Sequence, residues 1–242
     1  MPTPLRWLLS LIFVVQMYLA MVICALIFAI PAIISRRGAF AAVYAYSNWV
    51  RLTARLLVGL KSEIRGEVPQ GAVIIAAKHQ SFFDIIILCS VLPRPKFIMK
   101  RELIWAPILG QYALRIGCIP VNRAKKGAAI AKMKEDAAKA ALNPGQLVIY
   151  PQGTRVAPGA KLPYKIGAGL LYTQFNQPCI PVATNVGLFW PKHGILRQPG
   201  LAVVEFLPAV PPGRSVGEFM RGIEATIETA SDALMRQSGW VG

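Results

Sequence analysis

A long stretch near the start of the chain, Trp7 to Ser35, carries no charged side chain. At ~1.5 Å per residue, a helix of this length exceeds the ~30 Å hydrocarbon core of a bilayer. The run is also far longer than the ~7–15 apolar residues of a cleaved signal peptide, and Arg36-Arg37 directly after it would resist export. We therefore expect a membrane-attaching helix, kinked at Pro31. Because Arg6 and Arg36-Arg37 flank it on both sides, a single span and a helix that enters and returns on one leaflet both stay open.

The next segment, Ala39 to Leu60, has a different pattern. Polar side chains recur at helical spacing and form one face of the predicted helix, and the remaining positions are mainly apolar. The polar positions are Tyr44, Ser47, Asn48, Arg51 and Arg55, and the apolar ones include Val43, Trp49, Leu56 and Leu57. This pattern predicts an amphipathic helix at a membrane interface. No later segment is long and uncharged enough to span a bilayer, so we expect residues 1–62 to attach one folded domain, residues 63–242, to a membrane.

From Glu63 onward, apolar runs of strand length alternate with helical patterns. The predicted strands are Ala72–Ala77, Phe97–Met99, Cys118–Val121, Leu147–Tyr150, Cys179–Thr184 and Leu201–Leu207. The predicted helices are Phe82–Val91, Ile104–Ile116, Ala128–Leu142, Gly167–Phe175 and Val216–Gln237. Such alternation is typical of an α/β domain with a central sheet.

The charge balance indicates an anionic partner. The sequence has 27 Lys and Arg against 11 Asp and Glu, a net charge of +16, and it lacks acidic residues before Glu63 and between Asp136 and Glu205. Nucleic acid is the usual partner of so basic a chain. Here, however, the basic residues are scattered, without an aromatic stacking platform or a recognition motif. A hydrophobic content of 55% favours a membrane surface instead, so no nucleic-acid partner is expected.

The cysteines and histidines give no metal-binding pattern. The four cysteines, Cys24, Cys89, Cys118 and Cys179, are widely spaced and lack the Cys-x-x-Cys spacing of metal and redox sites. We interpret them as reduced thiols of a domain that faces the cytosol. The chain has only two histidines, His79 and His193, and they are far apart, so no metal site is expected. His193 lies in a turn-rich loop and is given no catalytic role.

A candidate catalytic pair lies in the segment Lys78-His79-Gln80-Ser81-Phe82-Phe83-Asp84. On one continuous helix, residues five apart point about 140° away from each other. Ser81 followed by Asp84 predicts instead that a helix begins at Ser81, with the carboxylate in its first turn. His79 then lies in the preceding loop and can fold back onto Asp84. An imidazole held by a carboxylate is a general base of defined tautomer.

A glycine turn directly after a predicted strand is a candidate anion site. In Tyr150-Pro151-Gln152-Gly153-Thr154-Arg155, the glycine lets backbone amides approach an anion, and Arg155 offers a planar fork suited to phosphate. Lys100 and Arg123 add cations beyond two further predicted strands. Each of these features is weak alone, since a tight turn with an exposed cation is common.

Together, these segments resemble the PlsC-type glycerolipid acyltransferases, the family of 1-acyl-sn-glycerol-3-phosphate (lysophosphatidic acid) acyltransferases. The family's first block, Asn-His-x-Ser-x-x-Asp, corresponds to Lys78–Asp84. Its second is similar to the stretch from Lys100-Arg101-Glu102-Leu103 through Gly110 and Gly117 to Ile119–Arg123. The third, usually Phe-Pro-Glu-Gly-Thr-Arg, matches Tyr150–Arg155, and the fourth is Ile180-Pro181-Val182. The four blocks occur in family order and cover less than half of the chain.

The resemblance implies an α/β fold with a central mixed sheet flanked by helices, and an acyltransferase catalytic domain at residues 63–242. It implies that His79 takes the proton from the sn-2 hydroxyl of 1-acyl-sn-glycerol 3-phosphate while Asp84 orients the imidazole. The acyl donor would be acyl-CoA or acyl carrier protein, with no cofactor and no metal, and the product would be phosphatidic acid. Substrate phosphate binding is assigned to Arg155, Gly153, Thr154, Arg123 and Lys100. Backbone amides near Gly153 are a candidate oxyanion site. The expected location is the inner membrane, with the catalytic domain facing the cytoplasm.

Two positions depart from the family pattern. Lys78 stands where Asn is usual, and Gln152 replaces a Glu, which keeps the shape and an acceptor oxygen but removes a charge. We interpret residue 152 as an organiser of the substrate site rather than an essential base, so activity should survive. The alternatives are acyl transfer to another lyso-lipid, such as a lyso-ornithine lipid, or to glycerol 3-phosphate, and a catalytically inactive membrane lipid-binding module. A serine hydrolase is disfavoured, because no serine occurs between Ser90 and Ser215.

Overall fold

The computed structural model describes residues 3–122, 131, 135, 138 and 144–241. In this part of the chain, seven strands form one sheet in the order β1-β7-β6-β2-β5-β3-β4. The strands are β1 (Leu60–Arg65), β2 (Val73–Ala77), β3 (Pro95–Lys100), β4 (Ile119–Val121), β5 (Gln146–Ile149), β6 (Cys179–Thr184) and β7 (Gly200–Phe206). β6 and β7 pair antiparallel and the other neighbours pair parallel. The predicted mixed central sheet is confirmed.

Helices cover both faces of the sheet and extend before it. They are α1 (Thr3–Ile27), α2 (Ala29–Ile34), α3 (Arg36–Val58), α4 (Phe83–Val91), α5 (Leu109–Ile116), α6 (Gly167–Phe175) and α7 (Val216–Gln237), with 3₁₀ turns at Arg101–Trp105 and Val186–Leu188. Side chains of β2 alternate between the two layers. Ile75 and Ala77 belong to the core shared with α1, α3 and α4, and Ile74 and Ala76 to the core shared with α6 and α7.

The structure adds one strand to the predicted elements and corrects one predicted helix. β1 was not predicted, and the boundary predicted between residues 62 and 63 falls inside it; the division into two domains stays a prediction. The helix predicted over Ile104–Ile116 is a 3₁₀ turn followed by α5, since Pro107 lies between them and cannot donate a backbone hydrogen bond. Of the helix predicted over Ala128–Leu142, only residues 131, 135 and 138 are described.

The uncharged N-terminal stretch folds into two helices rather than one. α1 ends at Ile27, one turn before Pro31, which has no N–H to donate to the Ile27 carbonyl. After α2 the chain turns at Ser35, and α3 returns antiparallel to α1. Gly38 makes this return possible, because a Cβ at that position would lie 2.3 Å from the backbone of Pro31.

Side-chain hydrogen bonds join α1 and α3. The side chain of Gln16 donates to the Thr53 hydroxyl and accepts from the Trp49 indole. These bonds fix the register of the two helices, since few other polar groups lie between them.

α1 lies against the folded domain near both of its ends. The Ser10 hydroxyl accepts from the backbone N–H of Arg197, Phe13 packs edge-on against Trp190, and the Ala25 carbonyl accepts from the Tyr112 hydroxyl.

The opposite side of α1 and α2 is an exposed apolar surface. It comprises Leu5, Leu8, Ile12, Val15, Leu19, Val22, Ile23, Leu26, Ile27, Ile30, Ile33 and Ile34. By length and composition α1 could cross a membrane, and its apolar surface indicates membrane association.

The polar face predicted for α3 is only partly exposed. Ser47 is buried, and Arg51 is half-buried and donates to the hydroxyls of Ser62 and Ser90. Apolar residues of α3, including Trp49 and Leu56, are exposed instead. The helix is amphipathic as predicted, but part of its polar face binds the protein, and its apolar residues divide between the core (Val50, Val58) and the exposed surface (Trp49, Leu56).

Candidate active site

The candidate site lies at the carboxyl edge of the parallel strands. β2 pairs with both β5 and β6, and β5 pairs with β3, all parallel, so the segments that follow these strands meet at one edge. His79 follows β2, the turn at Gly153 follows β5, and Lys100 ends β3. Three of the four sequence blocks therefore converge here.

His79 and Asp84 are in contact, as predicted. Nδ1 of His79 lies 2.9 Å from Oδ1 and 3.2 Å from Oδ2 of Asp84. The helix begins at Phe83, one residue later than the predicted Phe82–Val91, and its N-cap residue is Phe82 rather than Ser81. The Ser81 hydroxyl instead accepts a hydrogen bond from the backbone N–H of Phe83 at 3.1 Å, which supports the turn just before the helix.

Further donors hold the Asp84 carboxylate in place. The backbone N–H groups of Gln80 and Ser81 donate to Oδ2 at 2.9 and 2.8 Å, and the Tyr150 hydroxyl donates to Oδ1 at 3.2 Å. Burial, together with the charge of Asp84, raises the pKa of Tyr150 well above its usual range, so the phenol stays a neutral donor. The Tyr150 ring also stacks on His79 with centroids 3.9 Å apart. The imidazole is thus fixed both in its plane and across its face.

This geometry determines which nitrogen can react. An ionised carboxylate only accepts hydrogen bonds, so neutral His79 carries its proton on Nδ1 and leaves the lone pair on Nε2. The His79 side chain is 13% exposed and Asp84 is buried. A substrate hydroxyl at Nε2 would therefore meet a base whose tautomer and orientation are already set.

Lys78, one of the two departures from the family pattern, is buried in an ion pair. Its side chain is 3% exposed, and Nζ lies 2.6 and 2.7 Å from the two carboxylate oxygens of Glu228 on α7, which is 29% exposed. The Tyr164 hydroxyl donates to the same carboxylate at 2.8 Å. The residue next to His79 is therefore tied to the helix layer on the far side of the sheet.

Gln152, the other departure, lies beneath the glycine turn. It is 2% exposed, its Nε2 donates to the Leu162 carbonyl at 3.2 Å, and its Oε1 is buried without a partner among the described residues. Gly153 has φ of +72°, which favours glycine, and its N–H donates to the Tyr150 carbonyl at 2.9 Å. That amide is engaged inside the turn, which argues against it as part of the predicted oxyanion site.

The candidate phosphate-binding residues are spread over this edge. Arg155 is half-buried and donates to the Lys192 carbonyl at 3.3 Å, and Thr154 is half-buried beside it. Lys100 is exposed, two strands away from His79, with Nζ 3.6 Å from Glu102. Arg123 lies outside the described residues. The edge is thus basic on the side of β5 and β3.

Sequence reasoning missed the supporting residues Tyr150 and Glu228. Tyr150 stood in the quoted third block, and the parallel pairing of β2 with β5 would have brought it beside His79. Glu228 is separated from Lys78 by 150 residues, and no local pattern links the two. Gln80 was also missed: its Oε1 accepts from the backbone N–H of Gly187 and holds the loop after β2 against the chain after β6.

Comparisons with known proteins agree with this site. The sequence model of the Acyltransferase family matches residues 60–185, more than half of the chain. A Pseudomonas aeruginosa protein named 1-acyl-sn-glycerol-3-phosphate acyltransferase is 27% identical over 185 residues, 74% of this chain and 71% of that protein. The mouse protein named 1-acyl-sn-glycerol-3-phosphate acyltransferase alpha is 33% identical over 165 residues, 66% of this chain and 58% of its own length.

The fold has a counterpart among solved structures. The crystal structure of the 1-acyl-sn-glycerophosphate (LPA) acyltransferase PlsC from Thermotoga maritima superposes with a TM-score of 0.80 at 18% identity, covering 97% of this chain and 99% of that one. This likeness concerns the fold. Fold, site and matches define an acyltransferase that associates with membranes through apolar helices. The chain belongs to the Acyltransferase family.

Proposed function

We propose that this protein transfers an acyl chain from a thioester to the sn-2 hydroxyl of 1-acyl-sn-glycerol 3-phosphate, giving phosphatidic acid. The observation that carries the proposal is the contact of Nδ1 of His79 with Asp84, which leaves Nε2 as the base. The names of the bacterial and mouse relatives support this acceptor. The apolar surface of α1 and α2 adds support, because a lyso-lipid already resides in a bilayer.

The reaction proceeds as direct transfer. Nε2 of His79 removes the proton from the sn-2 hydroxyl as that oxygen attacks the thioester carbonyl carbon. The C–S bond then breaks, and the thiolate takes the proton from the imidazolium, so His79 returns to its neutral form. Asp84 stabilises the imidazolium throughout without taking the proton. The reaction needs no metal ion or organic cofactor, since a thioester is already an activated acyl donor.

The basic edge beside the base binds the substrate phosphate. Arg155 is the principal candidate: among the described residues its guanidinium donates to the Lys192 carbonyl at 3.3 Å, and a guanidinium has further donors for an anion. Gly153 and Thr154 shape the turn, and Lys100 adds positive charge. Arg123, which lies outside the described residues, stays a predicted phosphate ligand. Gln152 organises this turn through its bond to the Leu162 carbonyl, and for that role no charge is needed.

The protein attaches to the inner membrane from its cytoplasmic side. The contacts of α1 with Arg197 and Tyr112 near its two ends favour a helix pair that lies along the domain and enters one leaflet. The four free cysteines suit a reducing compartment. The acyl donor, acyl-CoA or acyl carrier protein, is available in the cytoplasm.

To test the proposal, purified protein is reconstituted in vesicles and supplied with one of three acceptors and one of the two acyl donors. The product of each combination is identified by mass spectrometry. The acceptors are 1-acyl-sn-glycerol 3-phosphate, glycerol 3-phosphate and lyso-ornithine lipid. Phosphatidic acid with at least one donor, formed faster than either other product, is the expected result. Preferential acylation of another acceptor would refute the acceptor assignment. Transfer to none of the three would favour a lipid-binding module.

A further inference from the structure

The loop between β3 and α5 presents a tryptophan to the outside. Trp105, at the end of the 3₁₀ turn, is 82% exposed, and Leu103 and Pro107 in the same loop are exposed as well. Lys100 and Arg101 precede them and are also exposed. An exposed indole costs free energy in water, while an indole with flanking basic residues suits the headgroup region of a bilayer.

The loop is held in this shape by its own backbone. Ile108 has φ of +64° and ψ of −60°, a region that branched residues rarely adopt, and the Leu109 N–H bonds the Pro107 carbonyl across it at 2.7 Å. The Ala106 N–H donates to the Leu103 carbonyl, and the Gly110 N–H to the Ala106 carbonyl. Strained backbone of this kind persists where the surroundings impose it, often at functional sites.

The loop is joined through α5 to the apolar N-terminal helices. Arg115 donates to the carbonyls of Ala32 and Ile33 at 2.7 and 2.9 Å, and Tyr112 donates to the Ala25 carbonyl at 2.9 Å. Ile33 belongs to the exposed apolar surface of α1 and α2, and Leu114 on α5 is exposed beside these anchors. α5 is about 12 Å long, so the Trp105 loop lies a short, rigid distance from the membrane-associating surface.

We infer that the Trp105 loop is a second membrane contact, which inserts the indole at the lipid headgroup level. The occupant of this surface is a bilayer with anionic lipid. Glu102 offsets the charge of Lys100 at 3.6 Å, so the loop keeps the net positive charge of Arg101, and α5 joins the loop to the α1–α2 surface. Insertion holds the basic carboxyl edge of β3 at the depth of lipid phosphates, from which a lyso-lipid reaches the site. This last step rests on the proposed function, whereas the insertion itself does not.

Fluorescence tests insertion independently of activity. Wild type and Trp105→Phe are reconstituted in phosphatidylcholine vesicles with anionic lipid, with or without bromine on the acyl chains. The emission difference between the two proteins reports Trp105, and we expect brominated lipid to quench most of it. Trp240 packs on Gly159 and serves as the control. The emission difference between wild type and Trp240→Phe reports this tryptophan, and brominated lipid should leave that difference unchanged. A Trp105 signal quenched by aqueous iodide but not by bromine would overturn the inference.

Steady-state kinetics test whether insertion of Trp105 helps the protein to use a lyso-lipid from the bilayer. Trp105→Ala should raise the apparent KM for long-chain lysophosphatidate in vesicles about tenfold, corresponding to loss of a partly buried indole. The kcat/KM for a short-chain, monomeric acceptor should stay within twofold. An equal loss on both acceptors would indicate that Trp105 binds the acyl donor instead. A wild type inactive on both acceptors would refute the proposed function and leave the fluorescence result to decide on insertion.

Discussion

Removing the carboxylate of Glu228 should destabilise the protein strongly, because Lys78 would then be buried without a counterion. Lys78 is 3% exposed, and both short bonds from its Nζ go to Glu228. Breaking a buried ion pair by removing one partner costs about 3–5 kcal/mol. Glu228 is 29% exposed, so water can reach the vacated position, and we expect about 3 kcal/mol for Glu228→Gln. For a chain of this size that corresponds to a fall in Tm of roughly 6–12 °C.

The two partners should behave unequally. Lys78→Met leaves the carboxylate of Glu228, which is partly exposed and keeps its bond from Tyr164, so the cost should be only about 1–2 kcal/mol. The double variant removes both charges and should recover most of the loss caused by Glu228→Gln alone. With about 1 kcal/mol of destabilisation left in the double variant, the coupling free energy expected from this cycle is about 3–4 kcal/mol.

Thermal unfolding in detergent at one scan rate, followed by circular dichroism, measures these shifts. Glu63→Gln is the control, because it breaks the exposed pair of Glu63 and Arg65 and should move Tm by less than about 2 °C. A Tm for Glu228→Gln equal to that of the control, or a double variant less stable than both single variants, would refute the reasoning.

Three other substitutions test the site and the helix pair. Tyr150→Phe removes the hydroxyl bond to Asp84 but keeps the stacking on His79, so kcat should fall severalfold with KM unchanged; an unchanged kcat in steady-state assays would contradict this role. Gln152→Glu should lower the free energy of unfolding by about 1–3 kcal/mol, since a buried carboxylate would face the Leu162 carbonyl. A rise in Tm on thermal unfolding would show instead that the new carboxylate pairs with a cation. Gly38→Ala should cost about 1–3 kcal/mol, because its Cβ would overlap the backbone of Pro31, and unchanged unfolding would mean that α3 can move away.

Local patterns predicted the elements that carry strong periodicity. The observed bounds of β6, α6 and α7 match the prediction residue for residue, and α7 begins with a capping box formed by Ser215 and Glu218. β1 was not predicted because it contains the polar sequence Lys61-Ser62-Glu63; in the described part of the chain it is an edge strand that pairs with β7 alone. The periodicity of α3 separated two faces but could not show that Arg51 on the polar face would bind Ser62 and Ser90.

The residues of the candidate site fall into the same two groups, those that local sequence patterns predict and those that only the tertiary fold brings together. His79 and Asp84 lie within one short segment, so the loop and the helix start sufficed to predict their contact. Tyr150 and Glu228 reach the same region from β5 and α7, and only the sheet order brings them there. The exposure of Trp105 likewise depends on how Pro107 and Ile108 turn the chain, which periodicity alone does not reveal.

The most direct test of the central claim compares phosphatidic acid formation by the wild type and by His79→Gln in the same vesicles, with lysophosphatidate and an acyl thioester. Circular dichroism should show equal folding of the two proteins. The account predicts a loss of about 10²–10⁴ in kcat for the variant, the typical contribution of one general base. A folded His79→Gln protein that forms phosphatidic acid at the wild-type rate would contradict it.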